Sequence, residues 1–413
     1  MKPDVIRRET CRLCGSTAIE LVIPFRPSAI ADDYITAERL NEKQESYPLD
    51  LFLCRVCKHT QILDAVNPEI LFRNYTYVTS VSLGLIEHFK KVAEKLMNRV
   101  QPVPGALVVE IGSNDGTLLR NFKANGLRVQ GIDPAREIAR RTTQSGIPTI
   151  PEFFNSELAA QILHENGQAS LFIANNVFAH ADNLGDMADG IRLLLKPDGV
   201  FVFEVSYMVD IVEKMIWDTI FHEHLCFHAI RPLAHFFNLH GMELFDVERI
   251  PTKGGSIRGY AQLKGGPRPL ESSVGDLLAL EEKMQFGDPQ TFRAYADRIN
   301  ATKRSLLDLL STLRTAGKTV AGYGASATVT TLLHHFELGD KLDFIVDDNP
   351  VKQGTYSPGH HIPVLPPSAI ATRKPDYIII LAWMYANPII QKNQDYLNQG
   401  GHFILPNPEI KVV

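Results

Sequence analysis

The sequence predicts an α/β chain in which two parallel-sheet units follow a small metal-stapled unit, and three observations predict it. The stretches "ALVVEIGSNDGTLLRNF" (106–122) and "KTVAGYGASATVTTLL" (318–333) each read as an apolar strand, a glycine-rich turn and an amphipathic helix. Four of the five cysteines fall into two CxxC pairs. The 413 residues, 45% of them apolar, exceed one ordinary core and suffice for several.

The first unit, residues 1–72, is defined by Cys11, Cys14, Cys54 and Cys57. Each CxxC turns two thiolates toward one point, and two such knuckles form the four-sulfur cage that Zn2+ favours. Four protein ligands leave no position for water, so the expected zinc holds the fold together and does no chemistry. Two unrelated buried pairs are the bland alternative. His59 follows Cys57 by two residues but finds no vacancy in a complete set of thiolates. The opening "MKPDVIRRETCRLC" lacks the apolar stretch of a signal peptide, so a cytoplasmic, reducing setting without disulfides is expected.

The second unit, residues 73–267, opens its sheet with a strand ending in Glu110, then turns at Gly112 to Gly116. Such a turn lets backbone approach a ligand at the carboxyl end of a strand, where open parallel sheets bind cofactors. It is not GxGxxG, which weakens a dinucleotide reading. "LRVQGIDP" places Asp133 at the end of a second strand, positioned for the hydroxyls of a ribose. Then follow "ASLFIANNVFAH" and "LLLKPDGVFVFEVSY" as further strands, with "LKPDG" as a turn, and a last antiparallel pair, "GMELFDVERI" and "GGSIRGYAQLK".

The third unit, residues 268–413, begins with charged, helically periodic segments to about residue 316 and continues as a second Rossmann-like unit. Gly322-x-Gly324-Ala325-Ser326-Ala327 reads as an anion-binding turn at a helix N-terminus or, equally, as a helix-packing turn.

In order, these elements resemble a seven-stranded S-adenosylmethionine-dependent methyltransferase. With "RNYTYVTSVSLGLIEHF", "DTIFHEHLCFH" and "GGSIRGY" beside the cysteine quartet, the whole chain is similar to the zinc-containing C-methyltransferases that act on nucleotide-linked keto-deoxysugars. The resemblance implies S-adenosylmethionine bound by Glu110, Gly112, Ser113, Asn114, Gly116, Asp133, Asn175 and Asn176. It implies a substrate that is a nucleotide-linked 4-keto-6-deoxysugar, TDP-linked above all, methylated at C3 after a base makes the enolate. His224 is then the base, Glu223 contacts or orients, and Tyr75 and His180 are polar partners, with Tyr77 an alternative tyrosine. His222, Tyr77, Lys253, Arg258 and Tyr323 are expected toward the substrate, Lys253 and Arg258 as phosphate partners or solvated surface charge. Family members often carry tyrosine where this chain has Phe221, so any hydroxyl needed there must come from elsewhere. His222 and His228 read as structural support ahead of catalysis, and Cys226 as a small buried residue.

An extended "HEH" would put His222 and His224 on one side and Glu223 on the other; a helix would separate all three. A metal site at "HEH" is a poor reading, because a zinc protease needs HExxH on a helix. The formal charge of -5 argues against nucleic acid as the main partner. No 18-residue apolar run exists, so no membrane span is expected. A monomer is favoured. An NAD-dependent oxidoreductase working through "GYGASA" and a non-catalytic sugar-nucleotide binder are the competing classes.

Overall fold

A computed structural model describes residues 4–73, 75, 78–81 and 83–413. The centre is a seven-stranded sheet: β1 (Leu107–Ile111), β2 (Arg128–Ile132), β3 (Thr149–Ile150), β4 (Ala169–Asn175), β5 (Leu195–Ser206), β6 (Met242–Ile250) and β7 (Ser256–Leu263). Its spatial order is 3-2-1-4-5-7-6. β1 to β5 run parallel, and β7 runs antiparallel to both β5 and β6.

Strand alternation assigns the faces. Val108, Leu171, Ile173, Val200 and Val202 pack with Val92, Leu96, Leu118 and Phe122 from the helices Leu83–Val100 and Thr117–Ala124. Leu107, Val109, Phe172, Phe201 and Phe203 enter the opposite core with Leu158, Ile191, Phe236 and Phe237, which come from the helices Ser156–Asn166, Leu184–Leu194 and Ile230–Leu239. A sheet covered on both faces explains its nearly continuous apolar strands. Gly112 has φ +65, and a Cβ there would lie 2.2 Å from Val177 Cγ2, so only glycine lets the two strand-end turns approach this closely.

"LKPDG" folds as the expected turn: pairing of β4 with β5 jumps from Ala169–Leu195 to Leu171–Val200, and a Cβ on Gly199 would lie 3.0 Å from the Lys196 backbone, so the chain folds back on itself at the start of β5.

The N-terminal unit carries a four-stranded antiparallel sheet of Ile19–Ile23, Leu51–Cys54, Thr60–Ile62 and Cys226–Phe227. Its last strand belongs to the histidine-rich segment, so that segment is bound into the cysteine unit. The four cysteine sulfurs lie within 4.8 Å of one another, with Cys11 to Cys57 at 3.5 Å and Cys14 to Cys54 at 3.6 Å. A tetrahedron with Zn–S bonds of about 2.3 Å has edges of about 3.8 Å, so the sulfurs already stand at a zinc cage's spacing. Arg12, buried and donating to Gln61 Oε1 and Asp182 Oδ1, ties this unit to the central one.

The C-terminal sheet is ordered Val364–Leu365, Ile345–Val346, Val320–Tyr323, Tyr377–Ile380, His402–Leu405 and Lys411–Val412, parallel except for the last strand. The helix Pro289–Thr315 joins it to the centre, and Tyr295 on that helix donates to the Ile211 carbonyl at 2.9 Å. No helix among the described residues is long and apolar enough to cross a membrane.

Candidate active site

At the carboxyl ends of β1, β2 and β4, buried polar groups converge. Asn114, at φ +48, donates its backbone N–H to Asp133 Oδ2 at 2.8 Å, and Ala135 donates to Asp133 Oδ1 at 2.9 Å. Burial raises the Asp133 carboxyl above its ordinary value, and these two donors oppose it. Burial, then Asp133 and Asp115, push Glu110 well up. Glu110 Oε2, Ser113 Oγ and both side-chain polar atoms of Asn175 have no hydrogen-bond partner among the described residues. Buried polar atoms are rarely left unpaired, so this cluster fits a polar ligand such as the adenosine and amino-acid parts of S-adenosylmethionine. Asn176, at φ +55, donates its N–H to the Glu204 carbonyl at 2.7 Å and turns the chain toward the neighbouring cleft.

That cleft, a narrow one of about 10 Å³, is lined by Asn176, Ala179, His180, Val205, Ser206, His224, Cys226 and Phe227. The Phe221–His224 part of the histidine-rich segment enters it neither as strand nor as helix. His224 N–H donates to the Phe221 carbonyl at 2.9 Å, which makes Phe221–His224 a tight turn. The turn sends its side chains three ways. His222 Nε2 contacts the Tyr47 carbonyl at 3.2 Å in the N-terminal unit. His224 stacks on His180 at 5.1 Å and lies tilted against Phe221 at 4.0 Å. Glu223 lies in the fields of Asp32 and Lys253.

His224 Nδ1 lies 2.7 Å from the Thr219 carbonyl. A carbonyl only accepts, so Nδ1 carries the proton and Nε2 keeps its lone pair. Burial, then Lys253, lower His224 to about 3, and burial, then His224 and Lys253, lower His180 well below the ordinary imidazole range. Burial raises Glu223 to about 7, Asp32 adding to it and Lys253 opposing. Lys253 sits at φ +52 in the turn Thr252–Gly254 and makes no hydrogen bond or ion pair among the described residues. Burial lowers its ammonium, against Glu223 and Glu204. His180 and His224 are half-buried and line the cleft, whereas Lys253 is exposed, its ammonium in the fields of Glu223, Glu204, His180 and His224. Tyr75 reaches the same neighbourhood through Phe72, 6.2 Å from it and stacked 5.7 Å from His180.

Three expected substrate residues stand elsewhere. Arg258 is 5% exposed and held by Glu204 Oε2 through Nε at 3.1 Å and Nη2 at 2.6 Å, so its charge is spent inside the protein. Tyr323 packs in the C-terminal core and donates its hydroxyl to Asp348 at 3.1 Å. His222 is 1% exposed and faces Tyr47. Tyr77 lies outside the described residues. The Thr219 carbonyl and Asp32 were not singled out from the sequence, since a carbonyl has no residue-type signature and Asp32 is almost two hundred positions from Glu223. Glu223, expected as a possible orienter of an imidazole, leaves that task to Thr219.

Residues 251–408 match a family described as the C-methyltransferase C-terminal domain, residues 11–72 a zinc binding domain and residues 85–247 a methyltransferase domain. The chain is 34% identical over 412 residues to the C-methyltransferase NovU of Streptomyces niveus, covering 99% of this chain and 98% of that one. This chain belongs to the C-methyltransferase family. The C-methyltransferase depends on S-adenosylmethionine and binds zinc, which sets aside the oxidoreductase and non-catalytic alternatives. Two solved structures are also similar to part of the chain. Magnesium protoporphyrin IX methyltransferase of Synechocystis PCC 6803 is 15% identical, with TM-score 0.34 over 45% of this chain and 81% of that one. An S-adenosylmethionine-dependent methyltransferase of Clostridium acetobutylicum is 12% identical, with TM-score 0.35 over 44% and 92%.

Proposed function

We propose that this C-methyltransferase removes the C3 proton of a nucleotide-linked 4-keto-6-deoxysugar, TDP-linked by preference, and methylates the enolate carbon. The carrying observation is the Thr219 carbonyl that fixes the His224 tautomer and leaves Nε2 bare, in a cleft beside the carboxyl ends of the sheet. When bound, S-adenosylmethionine supplies a methyl group that is already a strong electrophile. The protein's task is therefore to create a carbon nucleophile, and carbon beside a ketone becomes one only when a base removes its proton.

Glu110, Asp133, Asn175 and the backbone of Gly112 to Gly116, with Ser113, Asn114 and Asn176, would hold the cofactor. His224 Nε2 takes the C3 proton. Its depressed value keeps it neutral and proton-accepting, and the negative charge of a nucleotide diphosphate and of the developing enolate raises it during the step. Lys253 offsets charge on the enolate oxygen, the role a hydroxyl would fill where this chain has Phe221. Glu223, near neutrality in its titration, contacts the sugar beside Lys253. His180 and Tyr75 form the polar wall. A nucleotide sugar also suits Lys253, a cation with no ion pair among the described residues, more than a neutral ketone does.

The test is incubation with TDP-, UDP-, GDP- and CDP-linked 4-keto-6-deoxysugars in deuterated water. The proposal requires C3 exchange and one methyl gained with one of them, the TDP sugar first. Absence of exchange with all four would end it.

A further inference from the structure

We infer that Asp218 and Trp383 are positioning residues, through which the C-terminal unit sets the geometry of the loop that carries His224. The inference rests on His224 as the base.

Trp383 Nε1 donates to Asp218 Oδ2 at 2.8 Å across the boundary between the C-terminal and central units. Asp218 is 1% exposed, and its Oδ1 has no partner among the described residues, so the indole is the side-chain donor this carboxyl depends on. Asp218 lies in the single helical turn Trp217–Thr219, and the next residue offers the carbonyl that holds His224 Nδ1 at 2.7 Å. The indole contact and the proposed base's clamp are therefore on adjacent residues. The same loop is gripped by the C-terminal unit at three more points. Thr331 Oγ1 donates to the Ile220 carbonyl at 2.9 Å, Phe336 stacks on Trp217 at 4.6 Å, and the Asn407 amide donates to the Met215 carbonyl at 2.5 Å.

Trp383 sits where it can couple the His224 loop to the turn that carries Lys253. It follows the strand Tyr377–Ile380 at its carboxyl end, in a segment whose Ala382 lies against Gly324; a Cβ on Gly324, at φ +108, would lie 2.5 Å from Ala382 Cβ. Met384 Sδ, one residue on, stands 3.0 Å from the place of a Cβ on Gly254, the neighbour of Lys253. The segment 382–385 thus touches the His224 loop at Asp218 and the Lys253 turn at Gly254. Packing alone would need no directional polar contact in such a place, because burying a carboxyl costs unless it is well bonded. A directional contact fixes a loop where a displacement of about 1 Å costs on the order of a hundredfold in rate.

Trp383→Phe keeps the ring and removes the donor. It should lower kcat about ten- to a hundredfold, with S-adenosylmethionine affinity and substrate KM unchanged. Asp218→Asn, which still accepts from the indole, should retain most of kcat. Thr331→Val should lower kcat less than Trp383→Phe. Should Trp383→Phe not fold, Asp218→Leu reads the same contact. His224→Ala serves as control: exchange persisting in it overturns the base assignment itself. If His224→Ala is inactive but Trp383→Phe turns over as wild type, or loses only Tm or KM, the positioning role is overturned and the base assignment stands. Equal losses in Asp218→Asn and Trp383→Phe would also overturn it, by assigning the effect to charge.

Discussion

Replacing Glu223 with Gln should flatten the dependence of stability on pH between about 5 and 8. Burial, reinforced by Asp32 and opposed by Lys253, raises this carboxyl from 4.5 to about 7. Between those values the folded protein holds a proton that the unfolded chain has released, so the stability it contributes is present below pH 4.5 and is lost as pH rises to about 7. At about 1.4 kcal/mol per pH unit, the loss is on the order of 3 kcal/mol. Gln has nearly the same shape and no proton to lose. The assay is apparent Tm of wild type and Glu223→Gln at pH 5 and pH 8. The two proteins should behave alike at pH 5, and the variant should be the more stable by several degrees at pH 8. Asp218, raised by burial to about 7, carries the same sign and leaves a residual slope. His224, lowered to about 3, acts the opposite way and only below pH 6.5, where stability falls as pH drops. Equal pH slopes in the two proteins would refute the reasoning, because Glu223 would then ionise as an exposed carboxyl does.

Lys253→Met should slow C3 proton exchange on the order of a hundredfold, the cost of one lost oxyanion partner, with S-adenosylmethionine affinity unchanged by calorimetry. Asn175→Ala should weaken S-adenosylmethionine about tenfold, the worth of one good hydrogen bond, and leave Tm nearly unchanged. Cys54→Ser should drop bound zinc below one per chain by metal analysis and open the N-terminal unit to protease, since the metal's binding energy is folding energy there.

Much of the fold was legible because its signals are local. The strand, turn and helix at 106–122 occupy consecutive residues, and the two CxxC pairs announce a tetrahedral cage by spacing alone. "LKPDG" was legible for the same reason, since its turn closes within five consecutive residues, Lys196 against Gly199. The site was legible by residue type and not by orientation. "FHEH" suggests imidazole chemistry, but a tight turn closed at Phe221 decides that His222 faces Tyr47 and His224 faces the cleft. Arg258 and Tyr323 read as free polar groups in sequence, and Glu204 and Asp348, from other strands and turns, take them up. The Asp218–Trp383 contact spans 165 positions between two units and leaves no pattern in either stretch.

The central claim is that His224 Nε2 removes the C3 proton. The most direct measurement is deuterium uptake at C3 of a TDP-linked 4-keto-6-deoxysugar in deuterated water, by wild type and by His224→Ala with matched S-adenosylmethionine affinity. The account predicts uptake by wild type and none above background by His224→Ala. Uptake by His224→Ala at the wild-type rate would contradict it.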